Sequence, residues 1–239
     1  MWYGKTAMIE VVVFDCFGTL VDVERGAYFN NKRVGAFSLL QAETPEITYD
    51  DFQTAWGNNF ARLDFEARKS FREFTMTELV EEVQNDLGTN ADTPAVIDAY
   101  LEEWLLGIHA IKDINNMLGV LKESKKLAIL SNTHYEGIVQ GALAVAGIEP
   151  DIFDIIKTSV EYGMRKPDPA IMNSLLLESG VQPEQVLMVG DSYHDDFGVA
   201  SRGGTYCLLV NSAQNSGGTF QPGNFVVLNS VLEVPSYVS

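Results

Sequence analysis

Apolar residues fall into two patterns along this chain. Five short runs are nearly continuous in apolar character: Ile9–Phe14, Leu127–Leu130, Ile155–Thr158, Val186–Val189 and Cys207–Val210. Turn or polar residues bound each one. Strands buried on both faces of a parallel sheet have this character. Between the later runs the apolar spacing changes to i, i+3, i+4, i+7. Ile114, Met117, Leu118 and Leu121 keep that spacing within Ile114–Glu123, which predicts a helix. Gly137–Ala146 and Ala170–Ser179 also read as helices, the second entered past Pro167 and Pro169 and left at Gly180. Strands alternating with helices predict right-handed crossovers and an α/β fold with a doubly wound parallel sheet.

One stretch breaks the alternation. Between Val21 and about His109 no strand is expected. Ala27–Gln41, Tyr49–Arg62, Arg68–Leu87 and Thr93–Leu105 read as helices, with Thr48, Asp92 or Thr93 as caps. The predicted organisation is a discontinuous α/β core, residues 1–20 and 111–239, with a helical cap domain at residues 21–110. After Val210 a Ser-, Gly- and Asn-rich stretch reads as a loop, and Phe225–Leu228 as a short edge strand.

The composition is that of a globular chain: 239 residues, 46% hydrophobic and 21% charged. Thirty-three acidic residues against 16 basic ones give a net charge of −17. Such a surface repels phosphate backbones and anionic lipid, so neither nucleic acid nor a membrane surface is an expected partner. An anionic small-molecule substrate would need a local positive trap. The oligomeric state is left open. Cys16 and Cys207 form neither a metal spacing nor a disulfide framework, which fits a reducing, cytoplasmic setting. The apolar run near the start is short, holds Glu10 and lacks a small-residue cleavage site, so it does not read as a signal peptide. Met8 is a second candidate start, which would make Met1–Ala7 an extension.

Ligands of open α/β sheets bind at the carboxyl ends of the strands. Asp15, Cys16, Phe17, Gly18 and Thr19 follow the first predicted strand. Ser131, Asn132 and Thr133 follow the second, and Lys166 lies beyond the third, in Arg165-Lys166-Pro167-Asp168-Pro169. Asp191, Ser192, Asp195 and Asp196 follow the fourth. One edge therefore gathers a carboxylate able to act as nucleophile, a hydroxyl, an ammonium and an acidic cluster. Asp15 and Asp191 could share Mg²⁺, a hard ion that takes oxygen ligands.

The segments FDCFGTLVD, LSNT, RKPDP and VGDSYHDD, in that order, resemble the motifs of the haloacid dehalogenase-like (HAD) hydrolase superfamily. The resemblance spans nearly the whole chain and implies a Rossmann-like core with a helical cap after the first strand. It makes Asp15 the nucleophile and implies that Thr19 is the small polar residue of the first motif. Ser131 becomes the hydroxyl that binds the transferring group, with Asn132 beside it, and Lys166 the third-motif lysine. Asp191 and Asp196 match the acidic positions of the fourth motif, and the Phe17 carbonyl is implied as a metal ligand.

The chain departs from the phosphatases of that superfamily at one position. They usually carry a second aspartate two residues after the nucleophile, to protonate the leaving oxygen and then activate water. Phe17 can do neither. An aromatic residue there is similar to the 2-haloacid dehalogenases, which need no metal and usually lack an acid where Asp191 stands. An unpaired Asp191 would repel Asp15 and raise its pKa, and Mg²⁺ removes that conflict. The favoured expectation is thus a Mg²⁺-dependent phosphatase acting on small phosphate esters or acyl phosphates through an aspartyl-phosphate. The alternatives are a metal-independent 2-haloacid dehalogenase acting on a haloacid, and a catalytically silent ligand-binding protein.

Other residues admit two readings. Arg68 and Arg72, one helical turn apart, could trap a substrate anion or simply pair with Glu66 and Glu73 on a solvated face. Ser131 and Asn132 could cap a helix, Lys166 could be a loop lysine, and Asp195 and Asp196 could sit in a helical first turn. Cys16 reads as a small buried side chain rather than a thiol nucleophile. His134 and His194 follow two of the motifs and could reach the site. Trp56, Trp104, Phe60 and Phe74 are expected in the cap core, or in an aromatic wall facing the substrate.

Overall fold

The computed structural model describes residues 8–24, 34–210 and 219–238. The extension reading of Met1–Ala7, the first part of the Ala27–Gln41 helix and most of the Ser/Gly/Asn-rich loop after Val210 lie outside the described residues.

Eight strands occur among the described residues. In chain order they are β1 (Val11–Phe14), β2 (Val21–Val23), β3 (Ile108–Ala110), β4 (Lys126–Ser131), β5 (Ile155–Thr158), β6 (Val186–Gly190), β7 (Tyr206–Val210) and β8 (Phe225–Leu228). Six form one sheet in the order β5-β4-β1-β6-β7-β8, and every neighbouring pair is parallel. All five apolar runs, and the edge strand, are present as predicted.

The two faces of the sheet are dry for a sequence-level reason. Successive side chains of a strand point to opposite faces. Val12 and Phe14 pack into one core, and Val11 and Val13 into the other. The helices Ile114–Lys122 and Ile138–Val145 cover the first face through Leu118, Leu121, Val139 and Leu143. Pro169–Ser179 and Gly198–Gly203 cover the second through Ile171, Leu175, Val199 and Ala200. A continuous apolar run is what a strand with helices on both sides requires.

Helices fill the insertion between β2 and β3, and two expectations for it are corrected. First, β2 and β3 are strands, paired antiparallel with Val21 opposite Ala110 and Val23 opposite Ile108. Three residues are too few to show a period, and each strand exists only through a partner more than 80 residues away. Second, Arg68–Leu87 is not one helix. Tyr49–Ser70 runs on past Arg62, and Phe71 ends it in the left-handed conformation at φ 60°. A new helix, Met76–Leu87, starts at Thr75. Thr75 and Glu78 form a reciprocal capping box, a start signal inside what read as one apolar period. Thr48 caps Tyr49–Ser70 and Asp92 caps Thr93–Leu105, as expected. The core of these helices, including Phe52, Trp56, Leu79 and Tyr100, is continuous with one face of the sheet. No helix among the described residues is long and apolar enough to cross a membrane.

Candidate active site

The chain runs from β1 to β4 and β5 on one side, then returns to β6, β7 and β8 on the other. β1 thus stands where the strand order reverses, the point at which a crevice opens beyond the carboxyl ends. Asp15 follows β1, Ser131 ends β4 and Asp191 follows β6. Three distant segments are brought together by parallel pairing alone.

Lys166 lies at the centre of the cluster. Its Nζ donates to Asp15 Oδ1 at 2.7 Å and to Asp196 Oδ1 at 2.6 Å, with only 2% of the side chain exposed. Burial opposes its charge, but the charges of Asp15 and Asp196 outweigh burial and raise its pKa. Asn132 fixes the lysine's backbone: its Oδ1 accepts from the Lys166 N–H at 2.8 Å, and its Nδ2 donates to the Lys166 carbonyl at 3.1 Å. Ser131 Oγ donates to the same Asp15 oxygen at 3.0 Å. An ammonium and a hydroxyl therefore converge on one carboxylate oxygen, within reach of any group bonded to Asp15.

Asp196 is buried and its other oxygen accepts from the Ser192 N–H at 2.9 Å. A single π-helical turn, Tyr193–Phe197, carries it back over the end of β6. Gly190 makes this possible, because a Cβ there would lie 2.1 Å from the Asp196 carboxyl carbon. Gly18 does the same for Asp191: its φ is +84° and a Cβ would stand 2.6 Å from Asp191 Oδ2. The tight turn after β1 thus closes on the fourth-motif aspartate.

Oxygens of Asp15, Asp191 and Asp196 all lie within 4.8 Å of one another. No ion pair among the described residues reaches Asp191. Burial, and next the negative charge of Asp15, push its carboxyl up to about 6. Asp196 is likewise raised by burial, against the pull of Lys166. One ammonium cannot offset this many carboxylates, and a divalent cation fits the oxygen-only donor set.

These groups line a cavity of about 180 Å³, whose walls include Asp15, Phe17, Ser131, Lys166, Asp191 and Asp196. A second cavity of about 310 Å³ lies against it and shares Phe17 and Asn132 as walls. Its lining is mostly apolar and aromatic, with Phe60, Leu101, Trp104 and His134 among it. Phe17 meets Trp104 edge to face at 5.2 Å, and Trp104 and Phe60 both line this cavity. Trp56 and Phe74 are buried and line neither described cavity.

Several candidates are placed elsewhere. Thr19 is fully buried behind the turn and does not line the acidic cavity; its hydroxyl has no hydrogen-bond partner among the described residues. Arg68 Nε is held by Asp64 at 2.7 Å, and Arg72 is exposed. Neither arginine lines either cavity. Cys16 is fully buried, and burial followed by the Asp15 charge pushes its thiol well up, so it stays protonated. His194 is largely exposed beside Asp195.

Sequence reasoning missed a buried ionic bridge between the insertion and the core. Glu73 Oε2 accepts from Ser159 Oγ at 2.6 Å and its Oε1 from Arg165 Nη1 at 3.4 Å, while Arg165 also meets Asp64 at 3.1 Å. Its one available signal was Arg165 preceding Lys166 in a motif.

A family model for haloacid dehalogenase-like hydrolases matches residues 9–204. The chain belongs to that hydrolase family. A phosphoglycolate phosphatase from Rhodospirillum rubrum is 31% identical over 112 residues, covering 46% of each chain. The chain spans only 26% to 46% of the length of curated relatives such as this one. Among solved structures, a HAD phosphatase from Thermococcus onnurineus matches with TM-score 0.68 at 18% identity, covering 97% of this chain and 98% of that one. A 2-haloacid dehalogenase from Pseudomonas syringae pv. tomato DC3000 matches with TM-score 0.65 at 19% identity, covering 96% and 97%. At these identities the structural matches show the HAD fold.

Proposed function

We propose that this HAD hydrolase is a Mg²⁺-dependent phosphohydrolase acting on small phosphorylated molecules through an aspartyl-phosphate at Asp15. The observation that carries this reading is the Asp15–Asp191–Asp196 cluster, whose oxygens lie within 4.8 Å of one another while Lys166 pairs with only two of the three carboxylates. The cluster suits a divalent cation and burdens a metal-free nucleophile. Asp15, Asp191 and the Phe17 carbonyl would hold Mg²⁺, with Asp196 in the same cluster. The ion supplies positive charge that offsets the carboxylates and the phosphoryl oxygens.

The Asp15 carboxylate attacks phosphorus, and the bond from phosphorus to the leaving oxygen breaks with its electron pair going to that oxygen. Lys166 and Ser131, already bonded to Asp15, hold the transferring oxygens. Water then attacks phosphorus, frees the Asp15 carboxylate and gives up its proton to solvent or phosphate. Phe17 offers no proton at either stage, so leaving groups that depart as anions, such as the carboxylate of an acyl phosphate, are favoured.

Phe17 also supports the dehalogenase reading, and one assay separates the two. Phosphate release from acetyl phosphate and p-nitrophenyl phosphate is expected with Mg²⁺, absent in EDTA, and reduced about a thousandfold or more by Asp15→Asn. Chloride release from 2-chloropropionate in EDTA, without phosphatase activity, overturns the proposal in favour of the dehalogenase. Binding of phosphorylated ligands without turnover overturns it in favour of a silent binding protein.

A further inference from the structure

The roughly 310 Å³ cavity beside the acidic site has no part in the chemistry above, yet Phe17 and Asn132 wall both spaces. A phosphoryl group at Asp15 would have its leaving group next to this opening. The size is at the lower end of small-molecule pockets, suited to a single- or fused-ring body. Phe60, Met76, Leu101, Trp104 and Ile138 give it apolar and aromatic walls. Among the described residues its lining holds no Lys, Arg, Asp or Glu. Its one histidine, His134, stacks on Phe74 at 4.0 Å with Nδ1 3.2 Å from Glu73.

The chemistry points the same way independently. With Phe17 where an acid would stand, the leaving oxygen must depart unprotonated, and an aryl oxide does so far more readily than an alkoxide.

We infer that the substrate class is an aryl phosphate monoester, with a single phosphate at Asp15 and an uncharged aromatic body in the Trp104 cavity. The inference rests on the phosphohydrolase reading. In the first step the Asp15 oxygen–phosphorus bond forms, the phosphorus–aryl oxygen bond breaks, and the electron pair leaves with the aryl oxide. The aryl oxide takes its proton from water after release.

Ligand affinity tests this apart from leaving-group reactivity. With Mg²⁺ present, calorimetry on the full chain compares benzylphosphonate with methylphosphonate, neither of which can be hydrolysed. Benzylphosphonate is expected to bind about tenfold to a hundredfold more tightly. A ring bearing a carboxylate, 4-carboxybenzylphosphonate, is expected to lose that gain. Ile138→Trp, which fills the cavity, is expected to remove the preference for the ring. If that variant does not fold, the wild-type comparison decides alone. Equal affinity of benzyl- and methylphosphonate overturns the inference, and so does tighter binding of the carboxylate form. In those cases Mg²⁺-dependent phosphate release from acetyl phosphate would still uphold the phosphohydrolase. Chloride release in EDTA with no phosphate release would overturn the phosphohydrolase itself.

Discussion

Lys166 and Asp15 are joined by a buried ion pair of 2.7 Å between segments 151 residues apart. The same ammonium holds Asp196 at 2.6 Å. Removing it leaves two carboxylates facing each other without compensation. Lys166→Met is expected to destabilise the fold by about 3–5 kcal/mol, the cost of orphaning buried charge. Urea unfolding measures this. A loss below about 1 kcal/mol, the range of a solvated surface pair, would contradict the structure. On the proposed phosphohydrolase mechanism turnover should fall as well, because the phosphoryl oxygens would lose their fixed cation.

Asp191 should behave in the opposite way. Its carboxyl is pushed up to about 6 by burial and by Asp15, above the ordinary value of about 4 in the unfolded chain. The metal-free fold therefore binds this proton more tightly than the unfolded chain. Its contribution to stability grows as pH falls through about 6 and is lost above it. Asp191→Asn is expected to raise the Tm of the metal-free protein at pH 7.5, with the gain vanishing toward pH 4. If Mg²⁺ binds here as proposed, it competes with the same proton, so its stabilising effect should shrink below pH 6 and disappear in the variant. An unchanged Mg²⁺ shift in Asp191→Asn would remove Asp191 from the metal site.

Phe17 divides the two chemistries of this family. If it occupies a vacated acid–base position, Phe17→Asp should accelerate hydrolysis of alkyl phosphates, whose leaving groups need a proton. General acid–base groups contribute about 10²–10⁴-fold, which bounds the gain. Rates across leaving groups of graded basicity should then depend on them less steeply. A uniform fall in activity would give Phe17 a role of its own, through the ring it packs against Trp104.

Arg165 ties the insertion to the core through Glu73 and Asp64. Arg165→Met strands Glu73, whose side chain is 1% exposed, and is expected to cost about 3–5 kcal/mol. Adding Glu73→Gln should recover part of that loss, with a coupling of about 0.5–3 kcal/mol in a double-mutant cycle. Strict additivity would show that the 3.4 Å contact carries no energy.

Much of the fold was legible because burial on both faces writes itself as a continuous apolar run. Ile155–Thr158 and Phe225–Leu228 match their strands residue for residue. Local signals also served where one residue decides an end, as Gly180 does for Pro169–Ser179. The failures had a common cause. The three-residue strands β2 and β3 depend on a distant partner, and the break at Phe71–Thr75 is set by two local caps within a helix-like period.

The candidate site divides the same way. The residue types Asp15, Ser131, Lys166 and Asp191, and their positions beyond strand ends, were fixed by the order of the chain, because parallel strands present their carboxyl ends on one edge. Only the tertiary structure decided what each side chain touches. It gave Lys166 two carboxylates, spent the Asn132 amide on the lysine's backbone, left Arg68 with Asp64 and opened an aromatic cavity beside Phe17. Periodicity along a chain encodes which residues are buried. Which buried groups meet depends on how the insertion docks on the sheet, and that is settled by contacts between residues far apart in sequence.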